Sequence, residues 1–343
     1  MQSAAGLNAL LDISQIRKEG LSGVLWYFLK KNDIAIDIAE ADRLHHDFYI
    51  IVRNNLYLFH KLRLILKSLA EINIHPIVFR GMSLLGDVYP DFGMRPICDI
   101  DLLIKKDELD LAVQTLKRRG LISDKKGIPF RSDLVIDLHT GLFSPSSIWL
   151  NRPFLKCTER LFEMSRWKEL DGLRFRMPCP EHTILSLAAH MQHHSFERLL
   201  GLYDIYMVLD KYGDELDRDI LIADAKEMNL LKAIDYVFYL MPCLSEFFSL
   251  TGQDKWKADR YFPVSDFNRF EKRILGAVKE RRYMPFSGQM LFVMNMDGYF
   301  GKLQALLSII FQGEGPIYKK ILVRASEALQ AMRALLFHAM FPL

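Results

Sequence analysis

The chain has 343 residues, half of them apolar and a quarter charged, with a formal net charge of +3. It is long enough for two or three folded domains, and its balance of charge gives no strong electrostatic argument for nucleic acid while leaving a local basic groove open. Cys98, Cys157, Cys179 and Cys243 stand singly with no C-x-x-C, which favours free thiols in a reducing cytoplasm over a disulfide framework or a zinc site.

The segment Met1–Asp12 has neither the basic start nor the apolar core of a signal peptide. The most apolar window, Tyr236 to Leu250, is interrupted by Pro242, Ser245 and Glu246, so no membrane span is expected. Residues 1–40 read as short helices. From Glu40 to Asn73 apolar residues recur at three-to-four spacing (Phe48, Val52, Leu56, Phe59, Leu62, Leu66), which predicts one long helix. His75-Pro76 ends it and turns the chain into a strand at Ile77–Phe79. A short helix follows from Gly81 to Val88, then a turn through Tyr89-Pro90-Asp91-Phe92-Gly93, and a strand over Ile97–Ile104.

Lys106–Arg119 returns to helical spacing and Gly120 suits its C-cap. Leu121–Asp124 reads as a strand edge followed by a turn at Lys125-Lys126-Gly127, and Leu134–His139 as a strand. Phe143–Asn151 reads as loop, and Trp167–Met177 as a hairpin around Asp171-Gly172. Beyond Pro180 the pattern is helical, best defined at Glu181–His194 and Phe196–Tyr212, and Ala325–Leu343 reads as a docked amphipathic helix. The expected fold class is α+β: an N-terminal helical arm over 1–73, a mixed-sheet core over 74–177 and a C-terminal helical domain over 178–343.

Two carboxylates, Asp99 and Asp101, alternate within the apolar run Ile97–Ile104. On a strand both face one way, about 7 Å apart, and like charges so placed call for a cation between them. Asp137 on the later strand supplies a third carboxylate, as a divalent metal with oxygen ligands requires. Asp-x-Asp alone is also an ordinary polar strand end; Asp137 and the upstream Arg80-Gly81 favour the metal. Arg80, Gly81 and Ser83 open the short helix and suit a phosphate, with Arg95 as a second cation or a plain turn residue. His139 shares the face of Asp137 and could touch a phosphate or the attacking group. His190 is placed towards the same cleft, with His193 and His194 solvated. Asp204 interrupts an apolar helix as either a paired core residue or a substrate contact. No Walker, Rossmann, Gly-x-Ser-x-Gly or His-Glu-x-x-His pattern is present, which disfavours the commoner hydrolase, dehydrogenase and zinc-protease readings.

These residues carry a resemblance. Phe-Arg-Gly-Met-Ser-Leu-Leu, Tyr-Pro, Arg-Pro-Ile-Cys-Asp-Ile-Asp-Leu-Leu-Ile and Ile-Asp-Leu-His resemble nucleotidyltransferases of the DNA polymerase beta-like superfamily. More narrowly, they look like a poorly characterised branch, to which Pro-Cys-Pro-Glu-His-Thr-Ile-Leu and Leu-Tyr-Asp-Ile are also similar. The resemblance covers about residues 74–210. It implies a mixed sheet flanked by helices, Mg²⁺ (with Mn²⁺ as a substitute) at Asp99, Asp101 and Asp137, and Gly81 as the phosphate-loop glycine. It implies transfer of a nucleoside monophosphate from a nucleoside triphosphate to a hydroxyl. The acceptor is not named by the sequence: small molecule, peptide, protein hydroxyl and RNA end stay open, with nucleic acid the least favoured. The chain departs from the branch in carrying Arg80 where Lys is usual, and from the wider superfamily in placing Met82 between Gly81 and Ser83. Two other uses of the same site are a sugar-nucleotide-dependent glycosyl or phosphosugar transferase and a nucleotide-binding module without turnover.

Overall fold

The computed structural model describes residues 13–122, 136–142, 158–251, 267–280 and 291. Leu134 and Val135, the expected turn at Lys125-Lys126-Gly127, the loop Phe143–Asn151 and the helix Ala325–Leu343 lie outside them.

Helices α1 (Ile13–Lys18) and α2 (Ser22–Lys31) lead into α3 (Ile38–Ala70), 33 residues long. Asp37 starts α3 by accepting from the Ala39 and Glu40 amides at 2.9 and 3.3 Å, satisfying two of the first-turn donors. Its buried stripe runs through Leu44, Ile51, Asn55, Leu58, Leu62, Ile65 and Leu69. That stripe is offset from the expected one: Leu56 is exposed and the neighbouring Asn55 is fully buried. The helix ends before Asn73, which takes a left-handed conformation (φ 59°), and Pro76 follows.

Strands β1 (Ile77–Phe79), β2 (Ile100–Leu103), β3 (Ile136–His139), β4 (Arg166–Leu170) and β5 (Leu173–Met177) form one mixed sheet in the order β3-β2-β1-β5-β4. β2 runs antiparallel to β1 and parallel to β3, and β5 runs parallel to β1. The β4–β5 hairpin turns at Asp171-Gly172 with φ 49° and 70°, the positive pair that a two-residue hairpin turn needs. Between β1 and β2 lies α4 (Gly81–Leu84), shorter than expected. Gly86, at φ 64°, turns the chain there so that its amide reaches the Tyr89 carbonyl.

α5 (Leu109–Arg118) follows β2 and packs on α3. Leu121 and Ile122, expected as a strand edge, form a bend. α6 (Pro180–His193) starts with Pro180 in its first turn, where the missing N–H costs nothing. It packs against α7 (Leu199–Tyr212), α8 (Arg218–Glu227) and α9 (Leu231–Leu240). α10 (Ser245–Thr251) touches α2, and α11 (Arg269–Lys279) is started by a capping box between Asn268 and Glu271. This mixed sheet flanked by helices is the α+β core that the sequence led us to expect. One continuous apolar core joins the helices to the sheet. Among the described residues no helix is long and apolar enough to cross a membrane, and no cysteine is in a disulfide.

Candidate active site

Strand register brings the carboxylates together. In the parallel β2–β3 pair Asp101 lies opposite Asp137, and in the antiparallel β1–β2 pair Asp101 lies opposite Phe79. Arg80, the residue after Phe79, therefore emerges beside Asp101. Its Nη1 donates to Asp101 Oδ1 at 2.8 Å and its Nη2 to the Leu142 carbonyl at 2.8 Å. Arg80 has φ 55°, a strained conformation for a residue with a Cβ. Ser83, fully buried, donates its hydroxyl to the Arg80 carbonyl at 2.9 Å and so holds that turn.

His139 completes the cluster. Its Nε2 is 2.8 Å from Asp101 Oδ1 and 3.6 Å from Asp137 Oδ2, and Arg80 Nη1 lies 3.4 Å away. The ring is buried edge-on against Phe79, at 5.1 Å between centroids. Asp101, Asp137 and His139 each bring one potential ligand atom within 4.8 Å of the others. The grouping differs from the sequence expectation in one member: His139 joins where Asp99 was expected. Asp99 falls just before β2 begins, past the end of β1, whose last residue Phe79 lies opposite Asp101 before the chain turns at Arg80; Asn55 Oδ1 takes the Ile97 amide of the same approach at 3.2 Å.

Electrostatics separate the carboxylates. Burial would raise the Asp101 carboxyl, but the hydrogen bond from His139 and the charge of Arg80 outweigh it and hold it below the usual range. Asp99 goes the other way: burial, then the neighbouring Asp101 charge, push it up to about 6 against the pull of Arg80. Asp137, with a side chain 53% exposed, keeps its carboxylate in water. His190, near the end of α6, is pushed down to about 2 by burial and by the charges of Arg80 and His194; it faces this cluster as a neutral ring. It packs on His194 at 4.5 Å.

Arg95 and Gly81 meet behind the site. The Arg95 guanidinium forms a two-pronged pair with Asp204, Nε to Oδ1 and Nη2 to Oδ2, both 2.8 Å, and its Nη1 donates to the Pro96 carbonyl. Tyr89 donates its hydroxyl to the same Asp204 at 2.7 Å. Asp204 is thus a paired core residue. A Cβ on Gly81 would lie 2.5 Å from Arg95 Nη1, so glycine is required by this close approach. Asn55 then anchors the loop between, donating to the Phe92 and Arg95 carbonyls at 2.7 Å each. Sequence reading did not single out Asn55, or Asp87, whose buried carboxylate gathers Arg166, Lys168, Lys211 and the Tyr212 hydroxyl. A polar residue on the apolar stripe of α3 was the available signal for Asn55.

No curated protein and no solved structure matches the chain. A family model described as an uncharacterised nucleotidyltransferase matches residues 9–246, well over half of the chain, and the chain belongs to that family.

Proposed function

We propose that this nucleotidyltransferase is Mg²⁺-dependent and moves a nucleoside monophosphate from a nucleoside triphosphate to an acceptor hydroxyl, releasing pyrophosphate. The observation that carries the reading is the convergence of Asp101, Asp137 and His139 on one point, with the Arg80 guanidinium against it. Two carboxylates and an imidazole suit Mg²⁺ through the oxygens and Mn²⁺ through all three. The buried Nδ1 of His139 and Nε of Arg80 have no partner among the described residues, so the cluster is not self-saturated. A divalent ion held by Asp101 and Asp137, with His139 and Asp99 beside them, would supply Lewis-acid neutralisation of the triphosphate charge.

The chain's own groups have separable tasks. Asp137, the carboxylate open to solvent, takes the proton of the incoming hydroxyl. That oxygen bonds to the α-phosphorus as the bond from phosphorus to the bridging oxygen breaks, and the electron pair leaves with pyrophosphate. Arg80 and the backbone at Gly81 steady the phosphates, Ser83 holds Arg80 in its turn, and Arg95 supports Gly81 from behind. His190, as a neutral ring, offers the nucleotide a hydrogen-bonding wall without adding charge. Catalysis of this kind is mostly positioning and charge stabilisation.

Asp137→Asn is the sharper test, because Asp137 is exposed while Asp101 is the buried partner of Arg80 and His139. The expected result is loss of Mg²⁺-dependent pyrophosphate release by about 100-fold or more, in line with removal of a general base, with the thermal midpoint unchanged. Unchanged turnover would overturn the assignment. Mass spectrometry of the modified acceptor separates nucleotidyl from glycosyl transfer by the mass of the added group.

A further inference from the structure

A second concave surface lies beside the start of β1. A groove of about 540 Å³ runs between the C-terminal half of α3 and the β4–β5 hairpin, within the usual range for a small-molecule site. It opens beside His75 and Pro76, before β1, whereas Arg80 follows β1; five residues of extended chain, roughly 16 Å, separate the two. Four cations line it, Arg63 and Lys67 from α3 and Arg174 and Arg176 from β5, and no carboxylate does.

Carboxylates at its rim offset only part of that excess. Glu71, one turn beyond Lys67, is engaged by Arg119. Asp171 is exposed; Arg63 donates to its carbonyl at 2.7 Å, with the carboxylate at 3.6 Å. Arg176 donates to two neutral acceptors, the Ser165 hydroxyl and the Phe162 carbonyl, so its position is fixed but its charge is not neutralised. Arg174 lies over the Trp167 ring at 4.7 Å, and the exposed Glu169 stands opposite it across the hairpin without an ion pair to it among the described residues. Trp167 is 49% exposed and is flanked by His75, Arg174 and Arg176, so its ring stands at the mouth of the groove among these groups. Apolar groups from Leu66, Ile74 and Phe175 form the floor.

Fixed guanidiniums select phosphate oxygens, and an aromatic ring capped by a guanidinium selects a flat, electron-rich body. We infer that this groove binds a small organic phosphate with a flat ring, of the nucleoside-diphosphate kind, apart from the Asp101 site. A ligand of this class would lay its ring along Trp167 and Arg174 and its phosphates between Arg63, Lys67 and Arg176.

The experiment is calorimetric titration of the full chain with ADP and, separately, with inorganic pyrophosphate, in EDTA so that no metal site can form. ADP is expected to bind more tightly than pyrophosphate by about tenfold. Arg63→Ala with Lys67→Ala should weaken both ligands at least tenfold, and Trp167→Ala should remove the difference between them. Asp137→Asn should change neither, which keeps this result separate from the proposed reaction. Lys67→Glu, on an exposed face of α3, serves if the double variant does not fold, with the same tenfold loss expected. Absence of binding, affinity insensitive to the groove variants, or loss of binding in Asp137→Asn would each overturn the inference. Equal binding of ADP and pyrophosphate by the unmodified chain would do the same.

Discussion

Asp204→Asn tests whether the pair behind Gly81 holds the site in place. Asp204 accepts three hydrogen bonds, two from Arg95 and one from Tyr89, and both members of the ion pair are nearly out of contact with water, at 12% and 2% side-chain exposure. Asparagine keeps one acceptor oxygen, but its NH₂ group meets the N–H of Arg95 Nη2 head-on. The guanidinium cannot lose its proton to escape, so the variant leaves a buried, half-paired charge. Removing one partner of such a pair costs about 3–5 kcal/mol. In a chain of this size that is a fall in thermal midpoint of roughly 4–7 °C. Arg95→Met combined with Asp204→Asn removes the stranded charge as well and should recover at least half of the loss. Thermal and urea unfolding of the two single variants and the double variant complete the cycle. A single-variant cost below about 1 kcal/mol, or simple additivity in the double, would refute the reasoning, because coupled neighbours do not add.

Three further outcomes follow from the same geometry. Asn55→Leu strands the Ile97 amide and the Phe92 and Arg95 carbonyls; urea unfolding should show a loss of about 3 kcal/mol, with pyrophosphate release falling because the approach to Asp99 is loosened. Burial raises the Asp87 carboxyl, but hydrogen bonds from Tyr212 and Lys211 and the charge of Arg166 more than offset it, so its folded pKa lies below the unfolded value. Its contribution is therefore full above about pH 4 and lost as pH falls through the folded value, and Asp87→Asn should lower stability at pH 7 while flattening the acid limb of a pH titration. Asp99 has the opposite sign: raised to about 6, it lets metal-free stability fall as pH rises from about 4 through 6. Saturating Mn²⁺ should abolish that fall, so the rise in thermal midpoint on adding Mn²⁺ should be larger at pH 7.5 than at pH 5.

What the sequence disclosed follows from the range over which its signals act. Ile77–Phe79, the alternation in Ile136–His139 and the Asp171-Gly172 hairpin were legible because strand period and turn chemistry are local. The pairing of Asp101 with Asp137 was legible only as a need for a third carboxylate; the register that meets it lies between strands separated by residues with no pairing signal of their own. Arg95 was undecided for a related reason, since its partner Asp204 is 109 positions away. The stripe on α3 was misplaced because apolar residues recur on more than one face of that helix and a polar residue, Asn55, occupies the buried one. Long-range polar pairs leave no periodicity, and it is these pairs that shape the back of the site.

Arg80 ties the two ends of the site together. A carboxylate as buried as Asp101 stays ionised only with a charged or hydrogen-bonding partner. The register sets Asp137 beside it rather than a counter-charge. His139 supplies one hydrogen bond and Arg80 supplies the full charge, delivered by a turn with φ 55° that the Ser83 hydroxyl closes. A lysine in the same turn offers a single ammonium on a flexible stem, whereas the planar guanidinium reaches Asp101 and the Leu142 carbonyl at once. The substitution of arginine for the lysine usual in the resembled branch therefore fits the geometry: the residue is both counter-ion to β2 and clamp on the chain leaving β3. With Asp101 balanced in this way, the unbalanced negative charge of the cluster rests on Asp99 and Asp137. Asp137 is solvated and Asp99 is raised towards neutrality, so the proposed divalent cation would gain most on the open side of the cluster. That is also the side from which a triphosphate and its acceptor would approach.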